Sequence, residues 1–84
     1  MRYLHFYLMC DAPARVQTVA PEHAAYWREL GLPGYLGGPF RDRSGGLITF
    51  EAGSVSEAER LVANDPFVRE DLLEGRWLKE WMIH

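Results

Sequence analysis

Two side chains in this 84-residue sequence carry the clearest chemical potential, His23 and Asp65, and each stands where a helix should begin. His23 follows Pro21-Glu22, and proline at a first helical position leaves its missing N–H without cost. A helix is therefore predicted from Pro21 to about Leu30, with Gly31 as its stop. In its first turn an imidazole would meet free backbone amides and the positive end of the dipole, which disfavour the cation. A neutral imidazole can act as a general base; packed inertly against Trp27 and the sheet, or exposed, the same histidine would do no chemistry. Asp65, in Asn64-Asp65-Pro66, fits a helix cap contributing about 1 kcal/mol, and any chemical role needs a partner. The two lie far apart in sequence, so only the tertiary fold can join them.

Other candidates fall away on residue type. Gly37-Gly38-Pro39-Phe40 is glycine-rich but lacks the lysine of a phosphate loop and the G-x-G-x-x-G spacing. It reads as a bulged strand or a close backbone approach, with a ligand as one candidate for what approaches. His5, His23 and His84 are scattered with no paired spacing, so no metal site is expected. Ser44, Ser54 and Ser56 fall in a loop and a cap, a poor setting for a nucleophile. Cys10, at a strand end, suits a small core residue better than a reactive thiol.

The elements that position these groups follow from periodicity. Arg2–Met9 alternates, with Leu4, Phe6 and Leu8 on one face and Tyr3, His5 and Tyr7 on the other. Asp11–Ala20, with Pro13, reads as a loop. On the helix from Pro21, residues His23, Tyr26, Trp27 and Leu30 form one stripe. Tyr35-Leu36 and Phe40 bracket a short irregular strand, Arg41–Gly46 is a polar hairpin loop, and Leu47–Phe50 is an apolar strand. Ser54-Val55-Ser56-Glu57 fits a capping box opening a helix to about Ala63 that buries Val55, Ala58, Leu61 and Val62. Asp65-Pro66 starts a short helix ended by Gly75. Arg76–Ile83 closes as a strand with Trp77 and Trp81 on one face, Leu78 and Met82 on the other. This order is the split β-α-β of a ferredoxin-like α+β domain, a four-stranded antiparallel sheet with helices on one face. Tyr3, Tyr7 and a tryptophan would be wasted on an open sheet face, so a homodimer covering that face is expected.

Composition bounds the function. At 48% hydrophobic and 25% charged the chain is one globular domain over residues 1–84, too apolar for disorder. Nine basic against twelve acidic residues leave a net charge of −3, which argues against nucleic acid. The aromatic signature of an RNA-recognition strand is also absent from Leu47–Glu51. The apolar run Tyr3–Cys10 is far shorter than the roughly 20 residues of a membrane span and has no cleavage site after it. One cysteine forms no internal disulfide, and a cytoplasmic setting is expected.

In combination these pieces resemble the YciI-like (YCII-related) family. The matching residues are Pro21-Glu22-His23, Gly38-Pro39-Phe40, Asp65-Pro66-Phe67, the strand Gly46–Phe50 and the helix start Ser54–Ala58. The resemblance spans essentially the whole chain and rests on the order of its motifs rather than on any single one. It implies a dimeric α/β barrel, similar to muconolactone isomerase and to antibiotic-biosynthesis monooxygenase-like domains. It also implies a histidine–aspartate active-site pair, carried here by His23 and Asp65. One relative is a dehydrochlorinase acting on a chlorinated hydroquinone. Two positions depart from the family: Ala20 stands where an arginine is frequent, and Phe67 where a tyrosine is.

The expectation that follows is acid–base proton transfer on a small aromatic or lactone-like molecule, of isomerase or lyase type and without a cofactor. Asp65 would hold one imidazole nitrogen and the other would take the substrate proton. Tyr7, Trp27, Phe40 and Trp81 would wall the pocket, with the Gly38-Pro39 backbone close to the ligand. The alternative is a non-catalytic dimer that binds a metabolite or regulates a partner, in which His23 and Asp65 only join helix to loop.

Overall fold

The computed structural model describes residues 1–84 in the order β1 (Arg2–Met9), α1 (Pro13–Glu29), β2 (Leu36–Pro39), β3 (Gly45–Glu51), α2 (Val55–Ala63), α3 (Pro66–Arg69) and β4 (Leu73–Glu80). The strands form one sheet in the order β2-β3-β1-β4, every neighbouring pair antiparallel. The helices cover one face, and between them and the sheet lies a core that includes Tyr3, Tyr7, Trp27, Ile48, Phe50, Val62, Phe67 and Leu72. This is the expected α+β, ferredoxin-like arrangement. No helix is long and apolar enough to cross a membrane.

Local chemistry sets the element ends. Ser54 Oγ accepts from the Glu57 amide, and Glu57 Oε2 accepts from the Gly53 amide, so the reciprocal cap reaches one residue further back than a standard box. Asp65 caps α3 through the Phe67 amide, with Pro66 in the first helical position.

Four expectations are corrected. The first helix begins at Pro13, not Pro21, so Asp11–Ala20 is mostly helical and His23 sits mid-helix, away from the dipole end. Pro21 is an interior proline. The missing hydrogen bond and ring clash cost about 3 kcal/mol, and burial of Val19 and Trp27 on the same helix offsets that loss. On β1 the faces are reversed: Tyr3, His5 and Tyr7 are buried beneath the helices, while Leu4, Phe6 and Leu8 lie on the open side. Val55, the first residue of α2, is exposed, and Ala58 and Val62 are the residues that the helix buries. Finally, α3 ends at Arg69 and β4 starts at Leu73, earlier than Arg76, because Asp71 takes a left-handed turn with φ of 56°.

The inward turn of β1 buries His5 completely. Its Nδ1–H donates to the Trp77 carbonyl at 3.4 Å, and its Nε2 has no partner. Burial, the largest influence, pushes its pKa down from 6.5 to about 4. The folded state therefore binds fewer protons than the unfolded one, and stability contributed by neutral His5 is complete above pH 6.5 and lost as pH falls towards 4. About 3 kcal/mol should disappear across that window. Urea unfolding of wild type and His5→Leu at several pH values checks this: the variant should lose most of the acid slope, and parallel slopes would refute the assignment.

Candidate active site

Where α1 crosses the end of β1 and the start of α3, five side chains meet. Asp65 is fully buried and accepts three hydrogen bonds. Its Oδ1 takes His23 Nδ1–H at 2.8 Å and the Phe67 amide at 2.8 Å, and its Oδ2 takes Trp27 Nε1–H at 2.9 Å. A carboxylate removed from water is tolerable only when its lone pairs are engaged in this way. The bond to Asp65 fixes His23 as the Nδ1–H tautomer, which leaves Nε2 as an acceptor. Tyr7 Oη lies 3.3 Å from that nitrogen and donates to it. Burial first, and the Asp65 charge second, hold the Tyr7 phenol well above its ordinary pKa, so it stays protonated at neutral pH. Phe67 stacks on the imidazole with centroids 4.1 Å apart and planes 18° from parallel.

The position of Tyr7 depends on a glycine. In the β1–β3 register Tyr7 faces Gly46, and a Cβ at Gly46 would overlap the Tyr7 hydroxyl. Only a residue without a side chain leaves room for that oxygen beside His23.

His23 and Tyr7 open into a cavity of about 590 Å³ between α1 and the β2–β3 edge, within the range of small-molecule sites. Small residues make it concave: Ala20 and Ala24 on the helix, Gly37, Gly38 and Gly45 on the strands. Tyr35, Ile48, Pro39 and Phe67 add apolar walls, and Arg28 and Arg43 add two cations.

Of the residues singled out from sequence, the structure brings His23, Asp65 and Tyr7 together, and Gly38 and Pro39 line the same cavity. Trp27 lies underneath, touching Asp65 rather than the cavity. Phe40 and Trp81 stand away from it. Phe40 packs on Phe6 with centroids 5.5 Å apart on the open sheet face, and Trp81 follows β4 with 45% of its surface exposed. Sequence reasoning missed the Tyr7 hydroxyl as a histidine partner, the stacking of Phe67 and the two arginines. The Gly45-Gly46 pair was a partial signal for the first, since glycine inside a strand marks a close approach, but its pairing with Tyr7 comes from the strand register.

Comparison with known proteins agrees with this architecture. The family model described as the YCII-related domain matches residues 1–82. The structure superposes with a TM-score of 0.82 on 5-chloro-2-hydroxyhydroquinone dehydrochlorinase from Burkholderia phenoliruptrix, solved in complex with 2,5-dihydroxybenzoquinone. The identity is 25%, over 98% of this chain and 94% of that one. It also superposes, with a TM-score of 0.53 and 16% identity over 99% and 93% of the two chains, on SnoaB, a cofactor-independent oxygenase from Streptomyces nogalater; that likeness concerns the fold. No curated protein matches the sequence.

Proposed function

The chain belongs to the YCII-related family, and on that premise we propose that it is a small-molecule enzyme that moves protons through His23, with Asp65 as its charge partner. The observation that carries this reading is the fully buried Asp65 carboxylate 2.8 Å from His23 Nδ1, which leaves Nε2 at the cavity beside Tyr7. A dyad so oriented takes a proton at Nε2, and Asp65 stabilises the imidazolium that forms. In the resting site the Tyr7 hydroxyl donates to Nε2; turning that hydrogen towards a bound oxygen frees the nitrogen as base and supplies a donor to the substrate. In an elimination, the electron pair released with the proton forms a new π bond and expels chloride. In an isomerisation, His23 returns the proton at another carbon. The dehydrochlorinase activity of the Burkholderia relative supports elimination as the first reaction to try, and stacked Phe67 with Tyr7 and Tyr35 suits a small aromatic substrate.

The test is turnover of a panel of chlorinated hydroxyhydroquinones and unsaturated lactones, followed by chloride release and by absorbance. Proton-coupled turnover of any member supports the reading. Ligand binding without turnover across the panel favours the metabolite-binding alternative.

A homodimer is also proposed, through the sheet face left open by the helices. That face carries Leu4, Phe6, Leu47 and Trp77, with Phe6 and Trp77 rings 5.4 Å apart and Trp77 47% exposed. Exposed Trp81, Met82 and Ile83 extend the apolar surface. Light scattering at micromolar concentration should give twice the chain mass for wild type and a single chain mass for Trp77→Glu. A monomeric wild type would refute the pairing.

A further inference from the structure

The protein carries a net charge of −3, yet the cavity beside His23 is lined by Arg28 and Arg43 and by no carboxylate. Neither guanidinium takes part in an ion pair. The nearest buried negative charge, Asp65, is already engaged by His23, Trp27 and the Phe67 amide. Arg28 sits in the last turn of α1, on the ridge Val16, Ala20, Ala24, Arg28 that lines the cavity. It also complements the negative end of the helix.

Arg43 comes from the opposite wall and is held at a conformational cost. Its φ is 65°, the left-handed region that a side chain disfavours and glycine occupies freely. The turn is fixed on both sides: the Arg43 amide bonds the Phe40 carbonyl at 3.0 Å, and Asp42 accepts from the Ser44 amide and hydroxyl. Those two bonds hold the Asp42 carboxyl below its ordinary pKa and commit it to Ser44. A residue retained in such a conformation is a pointer to function. Arg43 also lines the adjoining groove of Met9, Asp11 and Glu74, so it stands where groove and cavity join.

We infer that Arg28 and Arg43 form an anion-binding pair and that the substrate of this site is a small aromatic anion, its carboxylate or ionised phenol held by the two guanidiniums while its ring lies against Phe67 and Tyr35. Guanidinium offers planar, forked donors matched to such oxygens. This inference deepens the proton-transfer reading and rests on it for which end of the ligand meets His23.

The experiment is equilibrium binding, by calorimetry and by amide chemical shifts, of 2,5-dihydroxybenzoate against hydroquinone. Wild type should bind the anion roughly tenfold more tightly, and added salt should weaken it. Arg28→Gln and Arg43→Gly should each remove most of that preference without changing hydroquinone binding, while Arg60→Gln on α2, outside the cavity, should change neither. Arg43→Gly also relieves the left-handed residue, so its melting temperature should equal or exceed that of wild type as its anion affinity falls. A structural role for Arg43 would move both in the same direction. Equal affinity for the two probes, binding of neither at millimolar concentration, or undiminished anion binding in both variants would overturn the inference. Anion binding that depends on the arginines, in a protein that turns over nothing, would leave this site standing and remove the catalytic reading.

Discussion

Replacing His23 by glutamine is expected to lower turnover of any substrate found by about 10²- to 10⁴-fold, the range that general acid–base catalysis supplies. Glutamine keeps a polar group near Asp65 and Tyr7 but has no nitrogen that accepts and releases a proton near neutral pH. The loss should therefore fall on kcat, with ligand affinity little changed, and urea unfolding should shift only modestly because the glutamine NH2 can still donate to the buried Asp65 carboxylate. Steady-state kinetics beside binding measurements separate the outcomes. Turnover that survives the substitution removes His23 from the chemistry and leaves Tyr7 as the nearest polar group to take its place.

The second large effect is at Asp65, where catalysis and folding share one carboxylate. Asp65→Ala strands the Trp27 indole N–H and the Phe67 amide in the core and removes the cap of α3. Breaking a buried, multiply bonded charge costs about 3–5 kcal/mol, against a total of about 5–10 kcal/mol for a domain of this size. The variant should be largely unfolded at modest urea concentrations. Asp65→Asn is the gentler probe: its oxygen can still serve His23 and Phe67, but its NH2 then meets the Trp27 N–H donor to donor. We expect a loss of about 1–3 kcal/mol, a displaced Trp27 indole N–H resonance, and a large fall in kcat because the imidazolium loses its counter-charge. An unmoved indole resonance would contradict the three-donor site.

Much of the framework was legible in the residues themselves. Alternation located β1, the capping box located α2, and the Asp-Pro pair located the start of α3. The early half of α1 was hidden because two prolines, Pro13 and Pro21, both offer a first helical position, and local rules favour the later one. Only the burial of Val19 and Trp27 against the sheet makes an interior proline tolerable. The faces of β1 were undecidable locally, since both are apolar. Tyr3, His5 and Tyr7 turn inward because Gly46, His23 and the Trp77 carbonyl, each remote in sequence, accommodate Tyr7 and His5 there. The pairing of His23 with Asp65 joins positions 42 residues apart, a contact no local pattern encodes. Its histidine and aspartate were nonetheless identifiable by family resemblance, whereas Arg28 and Arg43 read as ordinary surface charges until the cavity placed them on opposite walls.

The overlap that any side chain at Gly46 would create with the Tyr7 hydroxyl has a consequence for how such proteins diverge. The coupling runs one way, since residue 7 can change beneath an unchanged glycine but position 46 cannot change beneath the tyrosine. A mutation that adds a side chain at 46 evicts the phenol from His23, and one that shrinks residue 7 opens a void over the glycine. Descendants that lose the tyrosine still need the glycine, because a Cβ at 46 would also meet the Gly38 carbonyl of β2 at 2.7 Å. Glycine at 46 should therefore outlast the tyrosine: lineages can lose the phenol while keeping position 46 bare, but none should keep the phenol after filling it.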